Sequence, residues 1–211
     1  MPHKLPAGRS GRPGVAAPRR APEPWTGPVV REWREADAEA RPFADGEFDV
    51  VLSCVGVMFA PHHGAATDEM VRVCRPGGTI GLLNWTPEGF IGQLFATMRP
   101  YAPAPPPGAQ PPPLWGRGEH VLGLLGDRVT DVSAQRRTLT VDRFAGPEDF
   151  REYFRAFYGP TIAVYRNVAD DVELQAALGH EIDDLVRRFD RGEHSTVMDW
   201  EYLLLTARKR G

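Results

Sequence analysis

The chain has little cysteine and no long apolar run. Its only cysteines are Cys54 and Cys74, and its first residues lack the apolar core of a secretory leader, so we expect a reducing cytoplasm rather than a disulfide-stabilised secreted fold. The longest nearly apolar stretch, 50–60, is far shorter than the roughly 20 residues that cross a bilayer. These absences predict a cytoplasmic protein with no membrane partner.

The charge is low and unevenly distributed along the 211 residues, whose formal net charge is −3. Residues 1–35 hold 7 Lys and Arg against 3 Asp and Glu, while the remainder holds 18 against 25. A mildly acidic body is unsuited to polyanionic nucleic acid, and the basic start has no aromatic side chain before Trp25. We therefore expect no nucleic-acid partner.

The first 28 residues predict a disordered tail. They contain seven prolines and no apolar periodicity, so they bury too little surface to offset the conformational entropy lost on folding. An organelle transit peptide is an alternative for an arginine-rich start, but prolines break the amphipathic helix that such peptides form. We expect a tail over 1–28 and one domain over 29–211, which begins with a short strand at Val30–Trp33.

The middle of the chain shows the pattern of a parallel α/β sheet. Phe48–Ser53 is a continuous apolar run with one aspartate near its start, typical of a strand buried on both faces. Asp68–Cys74 has helical spacing, and Pro76-Gly77 predicts a turn before a strand over Thr79–Trp85. Strand, helix and strand at this spacing predict a crossover between parallel strands.

The second half predicts further helices and a closing strand around a proline-rich excursion. Residues 100–113 hold eight prolines, too many for regular structure, and we expect this segment to pack across the sheet rather than to separate two domains. The pattern also predicts helices over 119–125, 150–157 and 174–189, an exposed edge strand over 132–141 and a final strand over 200–207.

Asp37 and Ala38 stand where open α/β sheets bind ligands, in the crevice beyond the carboxyl ends of the strands. A carboxylate there can accept a hydrogen bond from an exocyclic amine, and the next backbone N–H can donate to a ring nitrogen. This donor and acceptor pair suits the edge of adenine. The alternative is that Asp37 only caps the turn before Ala38-Glu39-Ala40.

The motifs together resemble class I S-adenosylmethionine-dependent methyltransferases of the ubiquinone/menaquinone-methyltransferase type. The likeness is carried by 37–43, by 48–53 and by Arg75-Pro76-Gly77-Gly78 with the strand that follows, and it extends over nearly everything after residue 29. It implies a Rossmann-like α/β sheet with C-terminal helices and an antiparallel final strand. It also implies S-adenosylmethionine as cofactor and methyl transfer to a small-molecule acceptor.

The resemblance implies which residues hold the cofactor. Asp37 would hold the adenine amine, and Ala38 would present its N–H to the adenine ring. Ser53, Cys54 and Gly56 would border the methionine arm. These five residues come from two separate segments, which the fold must bring together.

The resemblance assigns the next residues to the wall between cofactor and acceptor. Val57, Met58 and Phe59 would form this wall, with Met58 next to the cofactor, although three apolar residues are equally typical of ordinary core. No catalytic base is implied. His62 and His63 are candidates by position, but a plain loop role is favoured for both.

The chain departs from the resembled family because it lacks the glycine-rich cofactor loop and the acidic residue that holds the ribose. Gly8, Gly11 and Gly14 follow no apolar strand and so do not form such a loop. We therefore expect an N-terminally truncated sheet without the family's first two strands. Since the family's first strand lies beside its fourth, the strand at Val50–Ser53 should expose an apolar edge.

This departure leaves a second function open. The chain could be a truncated fragment or pseudoenzyme that does not bind the cofactor and that pairs with another subunit through the exposed strand edge. An oligomer is possible on this reading.

No metal site is expected from the spacing of metal-binding residue types. Cys54, His62, His63 and Cys74 lack the close CxxC or HxxxH pairs that structural zinc sites use.

Overall fold

The computed structural model describes residues 32–211. The predicted tail over 1–28 and the first two residues of the predicted strand Val30–Trp33 lie outside the described residues. Glu32 and Trp33 are described and are not in a strand, so the strand prediction is wrong for these two. The chain divides into two units at residues 35 and 36, and all the elements below belong to 36–211.

The described residues of this unit form four strands and six α-helices. The strands are β1 (Phe48–Cys54), β2 (Cys74–Trp85), β3 (Val129–Val141) and β4 (Met198–Lys209). The helices are α1 (His63–Val73), α2 (Phe90–Met98), α3 (Gly118–Leu125), α4 (Pro147–Phe157), α5 (Gly159–Asn167) and α6 (Val172–Phe189). Among them, no helix has the length and apolarity that a membrane crossing requires.

The four strands form one sheet in the order β1-β2-β4-β3. Strands β1 and β2 are parallel, with α1 between them in the chain, whereas β4 is antiparallel to both of its neighbours. The predicted α/β class, the parallel crossover and the antiparallel final strand are therefore confirmed.

The segment Pro76-Gly77-Gly78 lies inside a strand rather than in a turn before it. Strand β2 begins at Cys74, and its pairing with β1 shifts register between Phe48 and Val50. Gly77 has a φ of 70°, a conformation that glycine adopts without a steric penalty. The sequence predicted a local break but not that the strand continues across it as an irregularity.

Helix α1 begins at His63, earlier than the predicted Asp68. The Thr67 hydroxyl, which lies before the predicted start, donates to the His63 carbonyl at 2.7 Å. This bond belongs to the first turn of the helix, so the segment 63–67 is helical although its small residues give little apolar periodicity.

Strand β1 lies at one edge of the sheet in the described part of the chain. Val50 is 51% exposed and Leu52 is 74% exposed, so the prediction of a strand buried on both faces is wrong. A continuous apolar run predicts burial only where another element covers it. The expected apolar edge is found, while the absence of the family's first two strands stays a prediction.

Two hydrophobic clusters hold the helices on the sheet. The first contains Leu82 of β2, Met58 from a short 3-10 helix at Val57–Phe59, and Trp115 from another at Pro112–Gly116. The second packs α2, α4, α5 and α6 around aromatic side chains such as Phe90 and Phe150. We call these the first and second clusters.

Gly116 allows the segment before α3 to lie directly against the end of β2. A Cβ atom at Gly116 would overlap the Trp85 carbonyl oxygen, and neither backbone can move without disturbing the first cluster. We expect Gly116→Ala to destabilise the fold by at least about 1–3 kcal/mol, measured as a lower urea midpoint of unfolding.

The matched control is Gly123→Ala in α3, where an added Cβ would meet no atom within 4 Å. This change should stabilise the fold by about 0.5–1 kcal/mol because alanine favours the helix. Equal midpoints for the two variants would show that Gly116 is not closely packed.

Candidate functional site

The turn that carries Asp37 and Ala38 is closed by its own hydrogen bonds. The Ala40 N–H donates to the Asp37 carbonyl at 3.2 Å, and the Glu39 N–H donates to Asp37 Oδ1 at 2.8 Å. The turn-capping role of Asp37 is thus present. Its side chain is exposed, and since a carboxylate has a second oxygen, the adenine-binding role is compatible with capping and stays a prediction.

Two carboxylates fasten this turn to α1. Glu39 accepts from the backbone N–H of His62 at 2.6 Å and from His62 Nδ1 at 2.8 Å, and Glu69 accepts from the Arg41 N–H at 2.6 Å. Ala38 packs against the first cluster. The predicted adenine turn therefore lies beside the start of α1.

Arg72 on α1 holds the residues that follow this turn. Its guanidinium donates to Glu69 at 2.6 Å and 2.9 Å, to the Arg41 carbonyl at 3.0 Å and to the Phe43 carbonyl at 2.7 Å. The pKa of Glu69 is lowered to about 2, mainly because its carboxylate accepts hydrogen bonds from Arg72. Glu69 is therefore ionised at every ordinary pH and keeps this connection in place.

The residues predicted to border the methionine arm form a strained turn after β1. Ser53 Oγ accepts from the Val57 N–H at 2.9 Å, which closes the turn. Val55 has a φ of 59°, a conformation that costs a β-branched residue about 1–3 kcal/mol. Cys54 and Gly56 are exposed, so the turn presents its surface at the carboxyl end of β1.

No sequence signal marks this strain, because positive φ is expected at glycine or asparagine and not at valine. Backbone strain of this kind is concentrated at ligand sites. The assignment of Ser53, Cys54 and Gly56 to the cofactor stays a prediction.

The predicted wall residues differ in exposure. Val57 and Met58 are buried in the first cluster, as the ordinary-core alternative requires, whereas Phe59 is 44% exposed. The Phe59 ring lies 6.3 Å from that of Phe95, between centroids. Phe59 is therefore the wall residue that a ligand can reach without rearrangement, and a cofactor contact by Met58 stays a prediction.

His63 has partners that its position in the sequence did not suggest. It is fully buried at the start of α1, with its Nδ1 2.9 Å from His120 Nε2 and its ring centroid 5.2 Å from that of Trp115. Burial, followed by the neighbouring His120, lowers the pKa of His63 to about 4. Because His120 lies 57 residues further along the chain, no short-range motif reveals the pair.

His62 faces the opposite environment. Its hydrogen bond to Glu39, and then a contact of its Nε2 with the Pro107 carbonyl at 3.2 Å, raise the pKa of His62. The Gln110 N–H also donates to the Pro61 carbonyl at 2.9 Å. The proline-rich excursion therefore packs beside the predicted site.

The described residues contain no group of three His, Cys, Asp or Glu side chains that could hold a metal ion. Cys54 is exposed and Cys74 is buried, so the two thiols have different surroundings.

Residues 15–82 match a family described as a methyltransferase domain. A relative from Mycobacterium tuberculosis (strain H37Rv), described as an uncharacterized protein, is 54% identical over 177 residues, which are 84% of this chain and 64% of that protein. The chain therefore spans slightly less than two thirds of the length of this relative.

More distant proteins resemble part of the sequence or the fold. A demethylmenaquinone methyltransferase from Mycolicibacterium vanbaalenii is 43% identical over 62 residues, 29% of this chain and 26% of that enzyme. Among solved structures, the YcgJ protein from Bacillus subtilis matches with a TM-score of 0.50 and 13% identity over 84% of this chain and 70% of that chain. The latter likeness concerns the fold alone.

The bond between Glu39 and His62 should make stability depend on pH in a defined window. The raised pKa of His62 gives stability that is full below the unfolded value of 6.5 and is lost as the pH rises through the folded pKa. The lowered pKa of Glu39 gives stability present above 4.5 and lost as the pH falls through the folded pKa. The pair should therefore stabilise most between these two values.

We expect Glu39→Gln to lower the urea midpoint more at about pH 5.5 than at about pH 8.5. The difference should be small because the His62 side chain is 46% exposed and water screens the pair. The control is Glu193→Gln, an exposed site. The same pH dependence in both variants would rule out a contribution from the pair.

Proposed function

We propose that this chain, whose residues 15–82 match a methyltransferase domain, is of the class I type and transfers a methyl group from S-adenosylmethionine to a small-molecule acceptor. The family match and the similarity to a demethylmenaquinone methyltransferase support the reaction class. The observation that carries the proposal is the fastening of the Asp37 turn to the start of α1. This contact holds the proposed adenine turn against α1, the helix that follows the proposed methionine-arm residues in the chain.

The groups present fit the adenine end of the cofactor. Asp37 Oδ1 is engaged in the turn, which leaves Oδ2 of an exposed carboxylate to accept from an exocyclic amine. The Ala38 N–H would donate to the ring. The turn is already closed before a ligand arrives, so little conformational entropy is lost on binding.

Ser53, Cys54 and Gly56 would line the methionine arm on the strained turn after β1. S-adenosylmethionine supplies the methyl group on a positively charged sulfur. The task of the protein residues is to align the acceptor atom with that methyl group and to exclude water, since direct displacement requires no covalent intermediate with the protein. Phe59, which is part exposed, would cover one side of the acceptor.

Calorimetric titration with S-adenosylmethionine tests cofactor binding directly. We expect stoichiometric heat from the full chain and at least about 10-fold weaker binding by Asp37→Ala, since a hydrogen bond to a charged group contributes about 1.5–3 kcal/mol. Asp142→Asn, an exposed control, should bind like the unchanged chain. No heat at about 1 mM ligand would contradict the proposal.

A base-modified ligand separates adenine recognition from turn capping. S-inosylhomocysteine carries an oxygen where S-adenosylhomocysteine has the amine, so the unchanged chain should prefer the adenosyl ligand. Asp37→Ala should lose this preference. Asp37→Asn can still cap the turn through its Oδ1, but its Nδ2 donates rather than accepts, so this variant should lose or reverse the preference. A preference that survives in Asp37→Ala would leave Asp37 with the capping role alone.

The exposed edge of β1 favours a second candidate, a chain that binds no cofactor and pairs with another subunit. A groove of about 230 Å³ runs beside β1 and is lined by Arg41, Phe43 and residues of the strand that include Val50 and Leu52. An exposed apolar edge is a ready template for another strand.

Light scattering of the purified chain tests this candidate. If β1 pairs with another copy, the chain should be a dimer or larger, and Leu52→Lys should shift it to monomer because a charge would be buried at the pairing edge. Leu52 is 74% exposed, so the lysine should not disturb the fold. The control is Leu139→Lys on β3, where Leu139 is 50% exposed; a monomer in the unchanged chain would exclude self-pairing.

A further inference from the structure

The proline-rich segment that follows α2 is held at both ends and exposed between them. We call residues 102–111 the strap. Tyr101, directly before the strap, and Trp115, shortly after it, are both buried. Residues 103–108 are exposed and therefore have few contacts that would keep them in place. Segments of this kind open at a small cost in free energy, so a single additional contact can decide whether the strap is closed.

A tight turn in the strap directs the Pro107 carbonyl. The Ala109 N–H donates to the Pro106 carbonyl at 3.1 Å, and Gly108 has a φ of 76°. A proline followed by a residue of positive φ is the pattern of a type II turn. The central peptide of a type II turn is flipped relative to that of a type I turn. Gly108 therefore permits the turn in which the Pro107 carbonyl faces His62.

Both ring nitrogens of His62 lie within hydrogen-bond distance of an acceptor oxygen. Nδ1 is 2.8 Å from Glu39 Oε2, and Nε2 is 3.2 Å from the Pro107 carbonyl oxygen. A neutral imidazole has one N–H and can donate to only one of the two oxygens, whereas an imidazolium donates to both. The protonated ring therefore joins the strap to the turn that carries Asp37, and the neutral ring cannot hold both.

Loss of the His62 proton should release the strap and not Glu39. The bond to the Glu39 carboxylate is the shorter one, and a charged acceptor makes the stronger hydrogen bond, so the remaining proton stays on Nδ1. The lone pair of Nε2 then faces the Pro107 carbonyl oxygen, and two acceptors repel each other. The hydrogen bond from the Gln110 N–H to the Pro61 carbonyl at 2.9 Å involves no titratable group, so the opening is confined to the exposed residues before Gln110.

The charged group that faces His62 is Glu39. Its side-chain hydrogen bond is the largest cause that raises the pKa of His62, and the bond to Pro107 is the next. The pKa of Glu39 is itself lowered, mainly by its bonds to His62, so Glu39 is ionised while His62 titrates. Burial lowers the pKa of His63, the next residue on α1, to about 4, and residues 102–111 carry no titratable side chain. Opening of the strap near neutral pH should therefore follow His62.

We propose that His62 is a pH-dependent latch that ties the strap to the Asp37 turn when its ring is protonated and releases the strap when the ring is neutral. The stabilisation of the closed strap is fully present below the pKa of His62 in the released state, and it is lost as the pH rises through the higher pKa of the closed state. The ratio of closed to released strap falls about 10-fold for each unit by which these two pKa values differ. The latch needs no bound cofactor, so it stands or falls separately from the proposed methyl transfer.

NMR titration of the full chain with pH tests the latch. An atom at the Cβ position of Gly108 would lie 3.6 Å from His62 Cδ2, so an α-proton of Gly108 should give a nuclear Overhauser cross-peak with the His62 ring while the strap is closed. We expect this cross-peak to be lost as the pH rises through the His62 pKa, and the exposed Ala104 methyl group to become more mobile with the same midpoint. A cross-peak that persists unchanged through the titration would overturn the proposal.

Gly108→Ala should open the strap without changing a titratable group. Alanine disfavours a φ of 76°, so the turn should change type and direct the Pro107 carbonyl away from His62. We expect the pKa of His62 to fall in this variant, because one of its two acceptors is lost. The control is Gly126→Ala, which should keep the His62 pKa, since Gly126 has a φ of 58° and an added Cβ would meet no atom within 4 Å. Equal His62 pKa values in the two variants would contradict the latch and leave Glu39 alone holding the ring.

His62→Gln removes the titration itself. The glutamine amide can donate to Glu39 but cannot gain a proton, so the mobility of the Ala104 methyl group should no longer depend on pH. His194→Gln, at an exposed position, should retain the pH dependence of the unchanged chain. If the Ala104 mobility depends on pH equally in both variants, another group controls the strap and the latch is ruled out.

Discussion

The ion pair between Arg72 and Glu69 is the constraint on which the candidate site depends. The two side chains lie on α1, yet their hydrogen bonds reach the backbone of Arg41 and Phe43, which directly follow the Asp37 turn. Without this connection, the turn would be an exposed loop on the edge of the sheet. With it, a segment about 20 residues before α1 is held against the last turns of that helix, which itself connects the parallel strands β1 and β2.

Two adjacent histidines at the start of α1 have different partners. His62 is part exposed and bonded to Glu39, so its pKa is raised, whereas His63 is buried beside Trp115 and His120, so its pKa is lowered. The difference comes from their surroundings alone, since opposite charge favours the protonated ring and burial disfavours it. One residue therefore holds the Asp37 turn through Glu39 with a raised pKa, and the next is buried beside Trp115 with a lowered pKa.

The sequence predicted the elements whose signal is local and missed what depends on distant partners. The strands at 48–54 and 198–209 and the helices around Phe150 and Leu178 follow from apolar periodicity, and the Asp37 turn follows from its residue types. The burial of β1 was mispredicted because an apolar run does not reveal which elements cover it. The pair of His63 and His120 and the positive φ of Val55 depend on tertiary contacts that no local pattern encodes.

Buried polar atoms without a hydrogen-bond partner among the described residues do not decide between the two candidate functions. They occur at Trp115 in the first cluster and at Tyr158 and Trp200 beside the second, so they mark no single site. The exposed edge of β1 is compatible with both candidate functions. A strand edge can pair with another strand whether or not the chain also binds the cofactor.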